Sequence, residues 1–225
     1  MYEVFGGRYT RTGLVLMVLD YAGIRYRLHD LDMRHGAFRT PGFLALNPAG
    51  YVPVLRTPAG EVLHEAPAIM LYLAEEHALH TLAPPAGDPE RGAFLSGLFF
   101  CTNDIQPEIK RFYFPERFAA APGDAARVHS MARDVLTERF AVVDARFDDG
   151  RRFYLGDRFT LLDMLLAFWA TSVHPAERFY AACPRIEQFV SRVLAAHPCT
   201  GHVVAHEQSS REYWEREVKP ALGGA

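Results

Sequence analysis

The sequence predicts a small α/β domain followed by an all-α domain, and three observations carry that prediction. The first 80 residues alternate short strand patterns with helical ones in the order βαβαββα. Residues 81–89, Thr-Leu-Ala-Pro-Pro-Ala-Gly-Asp-Pro, read as a linker. Beyond it, through residues 90–225, apolar side chains recur at helical spacing.

Tyr2–Phe5 is a short strand ending at Gly6-Gly7. Leu14–Ala22 is apolar almost all round, as a helix covered on both sides would be, and Gly23 ends it. Arg25–Leu31 alternates charged residues with Tyr26 and Leu28, the pattern of a half-buried strand. Pro41–Leu46 is one short helix. Val52–Arg56 and Glu61–Leu63 flank Thr-Pro-Ala-Gly60, a hairpin with its turn chemistry built in. Glu65–Ala78 closes the segment as a helix, with Pro67 in the first turn, where a missing N–H costs nothing. A parallel pair followed by a hairpin makes a small mixed sheet with helices on its faces. In the second domain, Ile186, Phe189, Val190, Val193 and Leu194 mark one apolar helix face. Val128, Met131, Val135, Val142 and Phe147 mark another, and Leu95, Phe99, Thr102 and Ile105 to Ile109 a third.

Composition narrows the function class. With 49% apolar and 23% charged residues over 225 positions, the chain is globular rather than disordered or fibrous. A net charge of −3 without blocks of like charge argues against nucleic acid as a partner. Only Lys110 and Lys219 are lysines, which reads as a habit of base composition. Three cysteines, Cys101, Cys183 and Cys199, are too few for a disulfide framework and fit a reducing compartment. Met1–Arg8 lacks the pattern of a signal peptide, and Leu14–Leu19 and Leu161–Val173 are too short to span a bilayer. The expectation is a soluble cytoplasmic protein without membrane association. His202 and His206 have i, i+4 spacing but no evident third ligand, so no metal is expected. Neither GxGxxG nor a P-loop occurs, so no nucleotide is expected either.

Three local features carry chemistry. In Asn47-Pro-Ala-Gly-Tyr-Val-Pro-Val-Leu55 a proline interrupts a strand, and X–Pro bonds are the ones that become cis cheaply. A cis Val52–Pro53 bond would turn the Val52 backbone outward to pair with an extended peptide; an ordinary edge proline is the alternative. In Leu63-His-Glu-Ala-Pro-Ala-Ile69 a strand runs straight into a helix, whose first N–H groups can hold a carboxylate while Glu65 meets an ammonium. Glu65 complementing only its own helix is the plainer reading. In Gly6-Gly-Arg-Tyr-Thr-Arg-Thr12 the hydroxyls of Tyr9, Thr10 and Thr12 lie by another helix start, where a thiolate would be stabilised. Taken alone, that segment is a polar turn with a capping Thr.

Together these features resemble the thioredoxin-like N-terminal domain of cytosolic glutathione S-transferases. Asn47-Pro-Ala-Gly-x-Val-Pro-x-Leu looks like that family's cis-proline motif, and Glu65-Ala66 stands where a Glu–Ser or Asp–Ser pair is usual. Phe159-Thr-Leu-Leu-Asp-Met164 resembles its capping box and hydrophobic staple, with Thr160 accepting from the Asp163 N–H, Asp163 reaching back, and Phe159 packing on Met164.

The resemblance implies that Val52, beside Pro53, pairs with the cysteinyl backbone of glutathione, while Glu65 and the Ala66 N–H hold its γ-glutamyl end. Counting 14 residues back from Gly23, the distance typical of serine- and threonine-type members, lands on Tyr9 as the first catalytic candidate, with Thr10 second. Arg11 falls near where cysteine-type members carry their Cys, and joins the glutathione-binding set. Phe99, Asn103 and Phe112 would border an acceptor pocket. Two departures stand out: Ala66 replaces the usual hydroxyl residue, and Tyr51 replaces a lysine common before Val-Pro.

The expected activity is that of a glutathione S-transferase of the detoxification kind, with glutathione as co-substrate and a small apolar electrophile as acceptor. A homodimer is implied as well, the N-terminal domain of one subunit lying on the helical domain of the other. The alternatives are a non-catalytic ligand-binding or interaction protein on the same fold, and a glutathione-dependent isomerase or disulfide reductase. Because every cysteine lies beyond residue 100, a nucleophilic sulfur at the first helix has to come from glutathione.

Overall fold

The computed structural model describes residues 1–7, 10–33 and 35–222. The N-terminal strand β1 (Tyr2–Gly6) runs parallel to β2 (Tyr26–Asp30) and antiparallel to β3 (Val54–Arg56), which pairs with β4 (Val62–His64). The spatial order β2-β1-β3-β4 is the mixed sheet that a parallel pair and a following hairpin produce. Between the strands lie α1 (Thr12–Tyr21), α2 (Pro41–Leu46) and, after β4, α3 (Ala66–Glu76).

Why α1 is apolar all round is clear from its surroundings. Thr12 to Leu19 are all buried, because α1 lies against α3 on one side and against the helical domain on the other. Gly23, with φ +63°, ends it in a left-handed turn, and the Ile24 N–H closes on Leu19 O at 2.9 Å. Gly6 is demanded by a close approach: a Cβ there would sit 2.1 Å from the Thr12 hydroxyl oxygen.

The second domain is helical throughout: α4 (Arg91–Phe100), α5 (Gln106–Tyr113), α6 (Ala125–Ala145), α7 (Leu161–Ala170), α8 (Ala176–Ala182), α9 (Pro184–Ala196), α10 (Gly201–Tyr213) and α11 (Lys219–Ala221). A π-turn over Cys101–Ile105 joins α4 to α5, and another over Trp214–Val218 joins α10 to α11. On α9 the apolar face is the predicted one, with Ile186, Phe189, Val190 and Val193 buried.

Two predicted faces are rotated over part of their length, although Phe147 on one and Ile105 and Ile109 on the other are buried as expected. On α6 the buried side is His129, Ala132, Leu136, Phe140 and Val143, whereas Met131 and Val142 are exposed. On α4 the buried residues are Phe94 and Leu98, continuing through Cys101 and Ile105, and Phe99 is 60% exposed. Both helices carry two apolar stripes one residue apart, a rotation of about 100°. Spacing alone does not say which stripe meets the core.

The capping box at α7 forms as expected. Asp163 accepts from the Thr160 N–H at 2.7 Å and from its hydroxyl at 2.8 Å, and also from the Tyr154 N–H at 2.8 Å. Phe159 packs tilted against Phe153 at 5.4 Å. Arg158 pairs with Asp88 and Glu90 and donates to His80 O and Thr81 O, which fastens the linker, and His202, whose Nε2 lies 2.8 Å from an Asp20 carboxylate oxygen, ties α10 to α1. No helix among the described residues is long and apolar enough to cross a membrane.

Candidate glutathione site

Three chain segments meet at one end of the sheet: the turn before α1, the loop before β3 and the start of α3. The loop is held by a buried Asn47. Its Nδ2 donates to Tyr51 O at 2.8 Å, and its Oδ1 accepts from the Ala49 N–H at 3.1 Å. Gly50 takes φ +66°, and the Val52–Pro53 bond is cis. Among the described residues the Val52 backbone has no hydrogen-bond partner, so this edge remains open for an extended chain.

Beside it, Glu65 adopts φ +66° and ψ +112°, a conformation rare for a residue with a Cβ. That kink carries the chain from β4 into α3 without a connecting loop. It leaves the Glu65 side chain exposed and buries Ala66 and Pro67, and the first N–H groups of α3 follow it directly. The segment is pinned from behind by His64, whose Nε2 donates to Leu46 O at 2.8 Å.

At the turn before α1, Tyr9 lies outside the described residues. Thr10 is occupied as a capping residue: its hydroxyl donates to Gly7 O at 2.7 Å, lies 2.8 Å from the Thr12 hydroxyl, and accepts from the Thr12 N–H at 3.2 Å. Arg11 follows at the N-cap position. Its partial burial lowers the guanidinium pKa, opposed by the nearby charge of Glu65 and by Tyr51. The Arg11 Cζ lies 6.0 Å from the centre of the Tyr51 ring, and the Lys110 Nζ stands 4.9 Å from that same ring.

The structure therefore brings together Thr10, Arg11, Val52, Pro53, Glu65 and Ala66 of the expected set. The acceptor residues fall elsewhere. Phe99 and Asn103 lie on the outer surface, and Phe112 is fully buried, stacked on Trp214 at 5.3 Å and packed against His129 at 4.3 Å. Tyr51 and Lys110 are what the sequence reading missed as a pair. The scarcity of lysine is the available signal for it, since Lys110 is one of two lysines in the chain.

Cys101, Cys183 and Cys199 are free and buried, and burial pushes the thiols of Cys183 and Cys199 up to about 11 and about 12. His202 and His206 do not converge on a common centre: the first meets Asp20, the second Ser172 at 2.7 Å. Among the described residues no group of three His, Cys, Asp or Glu side chains could hold a metal.

A βαβαββα domain with an open strand edge at a helix start, followed by a helical bundle, defines a thioredoxin-like protein with a second, all-α domain. The sequence pattern of the glutathione S-transferase N-terminal domain matches residues 14–76. A maleylacetoacetate isomerase from Pseudomonas aeruginosa is 33% identical over 194 residues, which is 84% of this chain and 85% of that protein. A glutathione transferase from Methylococcus capsulatus is 26% identical, with a TM-score of 0.75 over 94% of this chain and 100% of that one. A glutathione transferase homologue from Sulfitobacter, solved with bound glutathione, has a TM-score of 0.78 at 21% identity, covering 90% of this chain and 96% of that one. The chain belongs to the cytosolic glutathione S-transferase family.

Proposed function

We propose that this chain is a glutathione-dependent enzyme whose chemistry begins with addition of the glutathione thiolate to an electrophilic carbon of a small substrate. The observation that carries this reading is the open Val52 edge lying directly beside the strained Glu65 at the start of α3. An extended peptide can pair with Val52 beside Pro53, place its ammonium on Glu65 and its α-carboxylate on the Ala66 N–H, and direct its thiol to the start of α1. Arg11 and the α1 N-terminus then favour thiolate over thiol, with about 1.4 kcal/mol of preferential stabilisation for each unit of lowered pKa. Tyr9 is the hydroxyl proposed to donate to the sulfur, with Thr10 second.

Two outcomes of that addition are compatible with the site. If the adduct is kept or a leaving group departs, the activity is a transferase acting on an apolar electrophile. If the thiolate adds to an activated cis double bond, rotation about the resulting single bond and expulsion of the same thiolate give the trans isomer. The isomerase relative at 33% identity favours the second outcome. A non-catalytic carrier is the remaining reading, and Ala66, without a side-chain hydroxyl, is what speaks for it.

A homodimer and a cytoplasmic setting belong to the same proposal. Phe99, Met131 and Val142 leave apolar surface exposed on α4 and α6, which supports a subunit contact there. Calorimetric titration with glutathione, followed by assays of thiol conjugation and of cis–trans isomerisation of an unsaturated keto acid, tests the reading. Binding with one of those turnovers supports it, whereas no binding at millimolar glutathione removes both enzyme readings.

A further inference from the structure

Lys110 is one of only two lysines in the chain, and it comes from the helical domain. Its ammonium stands 4.9 Å from the centre of the Tyr51 ring, while neighbouring charges on α5 are taken: Arg111 pairs with Glu108. Among the described residues Lys110 has no carboxylate partner. Tyr51 is 47% exposed and immediately precedes Val52. A long cationic side chain held against an exposed ring at an open strand edge, and not neutralised, is suited to receive an anion.

The sheet register says which end of a bound peptide that anion belongs to. Val54 pairs with His64 in antiparallel register, and continuing that register by one residue would set Pro53 on the side of Glu65. A peptide whose amino end lies at Glu65 and whose middle residue pairs with Val52 therefore runs antiparallel to β3. Its carboxyl end is directed toward Tyr51, about 3.4 Å per residue beyond the Val52 pair. That is the side on which Lys110 stands.

We propose that Lys110 is a carboxylate-binding residue of this site, positioned by the Tyr51 ring and delivered from the helical domain. The proposal rests on the glutathione reading above. Lys110 brings a positive charge to Tyr51 from 59 residues further along the chain. Two carboxylates have the right chemistry: the glycyl carboxylate of glutathione, and a carboxylate of the acceptor substrate. Either gives the helical domain a direct hold on what the thioredoxin-like domain binds.

The test compares the wild type with Lys110→Gln, Lys110→Arg and Tyr51→Leu. Each is titrated with glutathione and with glutathione whose glycyl carboxylate has been converted to an amide. If Lys110 holds the glycyl carboxylate, the wild type prefers glutathione on the order of tenfold, Lys110→Gln erases the preference, and Lys110→Arg keeps most of it. If it holds an acceptor carboxylate, both titrations are unchanged in Lys110→Gln. The KM for an acidic acceptor then rises on the order of tenfold, that for its ester does not, and kcat moves little. Tyr51→Leu should give a weaker form of whichever loss is found. Unchanged titrations together with unchanged KM values for acid and ester overturn the proposal. Failure of the wild type to bind glutathione at all refutes the underlying glutathione reading instead, an outcome distinct from binding without discrimination. Lys110 is a half-exposed surface residue, so unfolding midpoints should agree among the Lys110 variants and exclude misfolding as the cause.

Discussion

The Asp163 carboxylate accepts the Thr160 N–H at 2.7 Å at the start of α7 while reaching back to the Tyr154 N–H at 2.8 Å. One buried side chain thereby caps a helix that forms the floor under α1 and fastens the chain segment preceding that helix. Asp163→Ala would leave both backbone donors buried without partners, at a cost of about 1–3 kcal/mol for each. A loss of roughly 2–5 kcal/mol in urea-induced unfolding is expected, with Asp163→Asn falling between that variant and the wild type. A loss below about 0.5 kcal/mol for the alanine variant would show that the cap is dispensable.

Stability should respond to pH through buried groups acting in opposite directions: His174 and His129, both lowered by burial, and Asp163, raised by it. Burial lowers His174 from 6.5 to about 4, so the unfolded chain binds the proton first. Its contribution is complete above 6.5 and is lost as the pH falls toward about 4. Burial raises Asp163 from 3.8 to about 6 in spite of its three hydrogen bonds, so its contribution is complete below 3.8 and is lost as pH rises through about 6. Between these limits the two trends offset each other. His174→Gln should therefore tilt the profile between pH 4 and 6 toward lower stability at the higher pH, measured as the urea midpoint at each pH, with His129 still opposing Asp163. An unchanged pH profile in that variant would remove His174 from the account.

Arg11 and Thr10 should separate charge from capping. Arg11→Gln removes the cation beside Tyr51 and Glu65 and should raise the pKa of bound glutathione thiol by about one unit, seen in the pH dependence of thiolate absorbance. Thr10→Val loses the hydroxyl that joins Gly7 and Thr12, and should cost about 1 kcal/mol of stability with a smaller effect on that pKa. Tyr9→Phe completes the comparison. A thiol pKa that moves with Thr10→Val and not with Arg11→Gln or Tyr9→Phe would reverse the assignment.

The three cysteines should be silent in the folded protein. All are buried, and burial raises each thiol above its ordinary value. A thiol reagent at pH 8 should label none rapidly in native protein and all of them after denaturation. Glutathione-dependent turnover should survive the native treatment. Rapid labelling together with lost activity would place a protein sulfur in the reaction.

Much of this was legible in the order of residues. The βαβαββα pattern, the hairpin turn, the α7 capping box and the Val52–Pro53 motif are each written in a handful of neighbouring positions. Local geometry and hydrogen bonding decide such features. Less legible was which way a doubly apolar helix turns: Met131 and Val142 fit a helical stripe as well as Leu136 and Val143 do, yet only the latter are buried. Phe99 was misplaced for the same reason, since a helix with apolar residues on two sides gives spacing no means of choosing its core face.

By itself, then, the sequence determined the elements, their order and the backbone motif at Val52 and Glu65, because each depends on interactions within a few residues. Only the tertiary structure decided that Arg11, Tyr51 and Lys110 share one place. They are separated by 40 and 59 positions along the chain, and their meeting depends on how the helical domain packs against the thioredoxin-like one. Packing of that kind sums many weak contacts, and no spacing within a single segment encodes it.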